Sequence, residues 1–178
     1  MTRTIRTLLA AVALALATRP LCAQRIPFDW RNRTLVGGSL DLLTVERGNA
    51  IPMLALHVTP VGAEAFATNV TLGLALVQGI LGGTADLGLG VAVPIEDAGL
   101  LVLGAGPSVI AAAGGNGFAA LAGVHASAGV VMRLSDNLGV RFDAGRRWYL
   151  AGGGAASLWA FGFGVTGLGA PRAAGVLP

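Results

Sequence analysis

Apolar and polar residues alternate from Leu138 to Arg147. Because successive side chains of a strand point to opposite faces, this segment predicts a strand with one apolar and one charged face. The whole chain has a mean hydropathy of +0.72 and only 12% charged residues, so we expect the apolar face to contact lipid. The two faces are Leu138, Val140, Phe142 and Ala144 against Gly139, Arg141, Asp143, Gly145 and Arg147.

The same two-residue period recurs along the chain, and turn-forming residues divide it into eight extended segments. Apolar residues at every second position are clearest in Val70–Leu76, Leu87–Val93 and Trp159–Val165. The fifth segment is apolar on both faces and has the weakest pattern. The predicted strands cover residues 35–44, 51–59, 66–78, 84–94, 99–110, 118–134, 138–148 and 156–167.

The first 23 residues have the order of a secretory signal peptide. Arg3 and Arg6 precede the short apolar run Leu8–Ala17, and Leu21-Cys22-Ala23 provides a cleavage site, so we expect cleavage after Ala23. The apolar run is too short to cross a bilayer as a helix. The predicted organisation is a signal peptide over 1–23, an exposed N-terminal lead over 24–34, a β-barrel domain over 35–168 and a C-terminal tail over 169–178.

Cleavage at this position changes the charge balance of the chain. Three of the 12 basic residues, all of them arginine, and the single cysteine lie in the signal segment, whereas all 9 acidic residues follow it. The mature chain of about 155 residues would therefore carry no net charge. The calculated pI of 10.4 then gives no indication of nucleic-acid binding, and we expect neither a metal site nor a cofactor.

A closed sheet explains these patterns best. Lipid offers no hydrogen-bond partners, so a membrane-spanning sheet must close on itself. A helical membrane protein is an alternative, because residues 65–85 and 98–132 contain no charged residue and are long enough to span a bilayer. The 28 glycines disfavour helices, since each costs about 1 kcal/mol inside one. A soluble periplasmic β-protein is a further alternative.

The export signal, the chain length, the eight two-faced segments and the aromatic last strand resemble small outer-membrane β-barrels. The most similar groups are the OmpA barrel and the OmpX- and OmpW-like proteins. The resemblance implies an all-β, eight-stranded antiparallel up-and-down transmembrane β-barrel in the outer membrane of a Gram-negative-type bacterium. It implies a structural or small-solute/lipid-associated role without catalysis. Outer-membrane lipid and the barrel-assembly machinery would be its partners, nucleic acid would not, and the protein would be a monomer.

The alternation also predicts which side chains face the barrel lumen. An isolated charge there must be paired or hydrated, so we expect one interior polar network. Trp148 and Tyr149 end the seventh strand, and we expect them to belong to an aromatic girdle at the membrane interface. The predicted network contains Asp41, His57, Asp86, His125, Arg141 and Asp143.

The segment His125-Ala-Ser127, with Asp143 on the next strand, supports an alternative function. It is similar to the His-x-Ser pair of outer-membrane lipid A deacylases. In that interpretation His125 would activate Ser127 as a nucleophile and Asp143 would orient His125. The strand period turns His125 and Ser127 inward, away from a lipid substrate, so a lipid-modifying hydrolase is kept as the alternative.

We predict that export removes residues 1–23, because basic, apolar and small-residue segments follow one another in the order that signal peptidase requires. N-terminal sequencing of the protein from membranes should begin at Gln24. A sequence beginning at Met1 would contradict the export prediction.

Overall fold

The computed structural model describes residues 28–45, 50–115, 117–151 and 154–171. The predicted signal peptide, its cleavage site and most of the predicted C-terminal tail lie outside these residues. None of these residues belongs to a helix that could span a membrane. The strands are β1 (Arg33–Val45), β2 (Ala50–Val61), β3 (Phe66–Val77), β4 (Ile80–Ile95), β5 (Gly99–Gly114), β6 (Gly117–Arg133), β7 (Leu138–Ala151) and β8 (Gly154–Leu168).

The eight strands form one closed antiparallel barrel, in which each strand pairs with the next and β8 pairs with β1. The predicted fold class is confirmed, and the helical alternative is wrong. Arg33 pairs with Val61 of β2. When the paired residues are traced from each strand to the next around the barrel, the path returns to β1 at Leu43, ten residues after Arg33. The strands are therefore staggered, which tilts them against the barrel axis.

The predicted strands are all present, but several run further than the sequence pattern indicated. The largest differences are four residues, at the end of β5 and at the start of β4. The latter begins at Ile80 rather than at residue 84, because Gly82 and Gly83 continue the ladder with β3 and β5. The hairpin between β3 and β4 is closed by Gln78 and Gly79 alone. Both have positive φ, 50° and 81°, the geometry of a two-residue turn that matches strand twist.

Side chains alternate between the outer face and the lumen along every strand. Leu54 and Leu74 are 71% and 63% exposed, whereas His57 is 4% exposed. On β1 the outward residues between Thr34 and Thr44 are all apolar; they are Val36, Gly38, Leu40 and Leu42. At the strand rise and tilt of such barrels, the ten residue steps from Thr34 to Thr44 span about 25 Å along the axis, the height of a lipid-facing apolar band.

Clusters of apolar side chains lie towards both ends of the lumen. We call the end that carries the described chain ends the terminal end, and the opposite one the far end. The terminal-end layer consists of Trp30, Leu35, Val61, Ala67, Ala92, Leu100, Val102, Val131 and Leu168. The far-end layer consists of Leu43, Met53, Ala75 and Ala160, with Ile51 and Leu158 packed against it.

The N-terminal lead is not fully exposed, contrary to the sequence prediction. Trp30 is 1% exposed and belongs to the terminal-end layer. The ring of Phe28 packs edge-on against Trp30, with 4.7 Å between centroids, and lies 4.0 Å and 4.3 Å from the guanidinium carbons of Arg33 and Arg133. The backbone N–H of Phe28 donates to Asp97 Oδ1 at 3.1 Å. Burial of these aromatic rings at the barrel mouth removes apolar area from water, which favours the inserted position.

Inward glycines make room for the polar side chains of the lumen. A Cβ at Gly162 would lie 2.5 Å from Asp41 Oδ1, and one at Gly88 would lie 3.3 Å from His125 Nε2. The narrow bore therefore accommodates charged side chains only because facing positions carry no side chain.

We predict that Phe163→Arg destabilises the barrel by about 2–4 kcal/mol in lipid. Phe163 is 54% exposed and pairs with Leu40, about midway along the apolar stretch of β1. The measurement is urea unfolding in liposomes, with Phe163→Leu as the apolar control. A neutral Phe163→Arg would show that this face does not contact hydrocarbon.

Candidate functional site: the polar interior of the barrel

The structure places the six predicted network residues in the middle of the lumen. Five are at least 95% buried, and the Asp143 side chain is 16% exposed. They do not form the single network expected from the sequence. Five of them belong to two separate groups of hydrogen-bonded side chains, and each group contains one arginine of β7. His125 belongs to neither group. The five most buried are Asp41, His57, Asp86, His125 and Arg141.

The first group is a chain of hydrogen bonds that begins at Arg141 on β7. Its guanidinium binds Asp143 on the same strand, with Nε 2.7 Å from Oδ2. It also crosses the lumen to β2, where Nη1 donates to Thr59 Oγ1 at 2.9 Å. Thr59 in turn donates to Asn69 Oδ1 at 2.8 Å, and Asn69 Nδ2 donates to Thr71 Oγ1 at 3.3 Å.

The chain continues from Thr71 to a carboxylate on β1. His57 Nδ1 lies 3.0 Å from Thr71 Oγ1, and His57 Nε2 lies 2.6 Å from Ser39 Oγ. Ser39 donates to Asp41 Oδ1 at 2.5 Å. Each of these hydrogen bonds then has one donor and one acceptor if Thr71 donates to Nδ1 and Nε2 carries the ring proton. We call this sequence the Arg141–Asp41 chain; it links a cation to an anion across four strands.

The second group, the Asp86 cluster, lies around a carboxylate on β4. Arg147 on β7 reaches across the lumen to Asp86, with Nη2 2.6 Å and Nε 3.0 Å from Oδ2. Ser108 on β5 donates to Asp86 Oδ1 at 2.5 Å, and Tyr149 Oη lies 2.9 Å from Ser108 Oγ. The Arg147 and Asp86 side chains are 7% and 4% exposed, so this ion pair is largely shielded from water.

The predicted aromatic girdle is wrong for Tyr149. Its side chain is 1% exposed and points into the lumen, where it joins the Asp86 cluster. Trp148 is 37% exposed on the outer face. The physical reason is the strand period itself, since two consecutive residues of one strand cannot face the same side.

His125 stands apart from both groups. Its Nδ1 lies 3.3 Å from the carbonyl oxygen of Pro107, and its buried Nε2 has no hydrogen-bond partner among the described residues. The same holds for Arg147 Nη1. Both residues line a cavity of about 40 Å³ between the two groups, which is large enough for water. The cavity is also lined by Asp41, His57, Asn69, Thr71, Asp86, Ser127, Asp143 and Gly162.

The residues of the alternative hydrolase are not assembled into a catalytic site. Asp143 binds Arg141 rather than His125, and His125 binds a backbone carbonyl rather than Ser127. Among the described residues, a serine–histidine hydrogen bond is found between Ser39 and His57 instead. That serine is 7% exposed inside the lumen and its proton is directed at Asp41. Neither serine therefore has the arrangement of an activated nucleophile facing lipid.

No group of three or more His, Cys, Asp or Glu side chains in the described part of the chain is arranged to hold a metal ion.

Besides Tyr149, sequence reasoning missed six residues that complete the two groups. Each lies at an inward position of its strand, so the strand period could have found them. The sequence prediction was restricted to histidines and charged residues, and it left out one arginine of the seventh strand. The missed residues are Ser39, Thr59, Asn69, Thr71, Ser108 and Arg147.

We predict that Asp86→Asn destabilises the barrel by about 3–5 kcal/mol, because it leaves the Arg147 charge buried without its carboxylate. Asp86→Asn combined with Arg147→Gln should cost less than the two single changes together, since the residues are in contact. A double-mutant cycle on urea unfolding in liposomes measures the coupling.

The control is Asp136→Asn, the same change at an ion pair with Arg133 in which Asp136 is 81% exposed. It should cost no more than about 1 kcal/mol. Strictly additive effects of the Asp86 and Arg147 changes would contradict the proposed coupling.

Comparison with known proteins gives structural matches only. Neither a protein-family model nor a curated protein sequence matches the chain. The N-terminal β-barrel domain of Pseudomonas aeruginosa OprF is similar in structure, with a TM-score of 0.60, 11% identity, and coverage of 78% of this chain and 98% of that one.

Two further barrels are similar. Neisserial surface protein A has a TM-score of 0.56 and 8% identity, over 77% of this chain and 95% of its own. A de novo designed transmembrane β-barrel has a TM-score of 0.52 and 12% identity, over 78% and 96%. The chain therefore has the fold of the small eight-stranded outer-membrane β-barrels.

Proposed function

We propose that the protein is a bacterial outer-membrane β-barrel with a closed lumen, which acts as a structural or lipid-associated membrane component rather than as a channel or an enzyme. The predicted signal peptide and the apolar outer face support this location. The barrel-assembly machinery would then insert the protein, and lipid would surround it as a monomer.

The observation that carries this proposal is the filling of the lumen by three successive layers. The terminal-end layer includes the inserted Trp30, the middle contains the Arg141–Asp41 chain and the Asp86 cluster, and the far-end layer is apolar again. The cavity in the middle layer has only about 40 Å³. Barrels of eight strands are narrow enough for side chains to fill them, and hydrophobic constrictions oppose the passage of ions.

We predict that the folded protein in planar lipid bilayers gives no stepwise conductance. Trp30→Ala should also stay silent, because it truncates one side chain of the terminal-end layer and leaves the polar middle and the far-end layer in place. Single-channel recording measures this, and heat-modifiable gel mobility confirms that each variant is folded. Reproducible conductance steps from the unmodified protein would contradict a closed barrel.

A further inference from the structure

Two buried polar atoms in the middle of the lumen have no hydrogen-bond partner among the described residues. They are Nε2 of His125 and Nη1 of Arg147, and both residues are 5% exposed. Polar groups buried this deeply almost always have a partner, and ordered water is a frequent one. The two atoms therefore indicate a small ligand inside the barrel.

The strand register brings these two side chains together. His125 on β6 and Arg147 on β7 are paired directly across the ladder, and both are buried in the lumen. Both also extend towards the same part of β4, where Arg147 binds Asp86. A Cβ at Gly88, the next inward position of β4, would lie 3.3 Å from His125 Nε2. The two side chains therefore cross the bore side by side, and both border the cavity of about 40 Å³.

The hydrogen bond that His125 already makes determines what the ligand must offer. The carbonyl oxygen of Pro107 only accepts, so His125 Nδ1, which lies 3.3 Å from it, carries the proton of the neutral ring. Nε2 is then an acceptor, whereas the guanidinium nitrogens of Arg147 only donate. The ligand must therefore donate to His125 and accept from Arg147.

Water meets both conditions. A halide ion has no proton to donate to Nε2, and a metal cation cannot accept from Arg147 and is repelled by its charge. A bound water needs roughly 10–15 Å³ of such volume, so the cavity has room for about two or three. The carboxylates of Asp41, Asp86 and Asp143 line the same cavity and can accept the remaining water protons.

We propose that the cavity binds ordered water, which accepts a hydrogen bond from Arg147 Nη1 and donates one to His125 Nε2. A bridging water is enthalpically nearly as good as a direct hydrogen bond. The bridge joins His125, which belongs to neither group of side chains, to the Asp86 cluster. Water thus becomes a structural component of the polar middle of the lumen.

Nitrogen NMR of the two histidine rings in lipid nanodiscs tests the site, with magnetisation transfer from water as the readout. His125→Gln, which removes one ring, identifies the His125 signals. The unmodified protein should show a proton on Nδ1 of His125, none on Nε2, and transfer from bound water to this ring. A proton on Nε2, or no transfer from water, would overturn the proposal.

Ser127 also borders the cavity and provides a matched pair of variants. Ser127→Val and Ser127→Ala both remove the hydroxyl, but only valine adds methyl groups that fill the space. Valine should displace the water, abolish the transfer to His125 and lower the urea midpoint of unfolding below that of Ser127→Ala, because two buried atoms lose their partner. Alanine should keep the transfer.

The opposite results contradict the site. If the cavity is dry, the added methyl groups fill it and raise the urea midpoint of Ser127→Val above that of Ser127→Ala. That result would overturn the proposal, and so would transfer from water that persists in folded Ser127→Val. Heat-modifiable mobility identifies the folded variants.

A crystal structure of the unmodified protein decides if Ser127→Val does not fold. Density for water should lie about 2.7–3.2 Å from each of the two nitrogen atoms, and a cavity without such density overturns the proposal. An anomalous peak in the cavity after a bromide soak would show an anion site and overturn the water assignment. Conductance steps would refute only the proposed function, whereas a dry cavity would refute only this inference.

Discussion

A narrow closed wall requires that every polar side chain in its lumen finds a partner there. The hydrocarbon outside supplies none, and the apolar layers at both ends limit access of water to the middle. Two arginines of β7 meet most of this requirement. Arg141 and Arg147 extend across the lumen in different directions, to Thr59 on β2 and to Asp86 on β4. They connect strands that the backbone ladder does not join and so oppose flattening of the barrel.

The same constraint explains the composition of the inner face. Long polar side chains can cross a narrow bore only where the facing positions are small, as Gly162 is beside Asp41 and Gly88 beside His125. The glycine frequency that disfavours a helical interpretation of the sequence is therefore also what admits the polar middle layer. Because that layer fills the bore, the interior stabilises the barrel, and the outer face remains the surface that interacts with the surroundings.

The strand period made the fold and the inward positions predictable, but not the partners within the lumen. The sequence prediction placed Arg141 and Asp143 in one interior network, and the structure pairs them, but the partner of Arg141 on another strand is Thr59, which the prediction did not include. Which residues face one another across a barrel depends on the stagger of its strands. That stagger of ten residues results from eight successive pairings, and a local pattern does not contain it.

The inserted Trp30 was not predictable for a similar reason. No period extends over the N-terminal lead, and its position depends on the barrel mouth that β1 and its neighbours create. Tyr149, by contrast, was within reach of the period, because its neighbour Arg147 already marked the inward face. The His125–Ser127–Asp143 motif shows the converse, because its residues share the inward face without forming the predicted bonds. His125 bonds to Pro107 and Asp143 bonds to Arg141.

One continuous chain of hydrogen bonds links Arg141 to Asp41, and His57 is the link whose state depends on both halves of the chain. Nitrogen NMR of the His57 ring in the folded barrel in lipid nanodiscs reports that state. We expect a proton on Nε2, donated to Ser39, and an unprotonated Nδ1 that accepts from Thr71. A proton on Nδ1, or ring protons in rapid exchange with water, would contradict it.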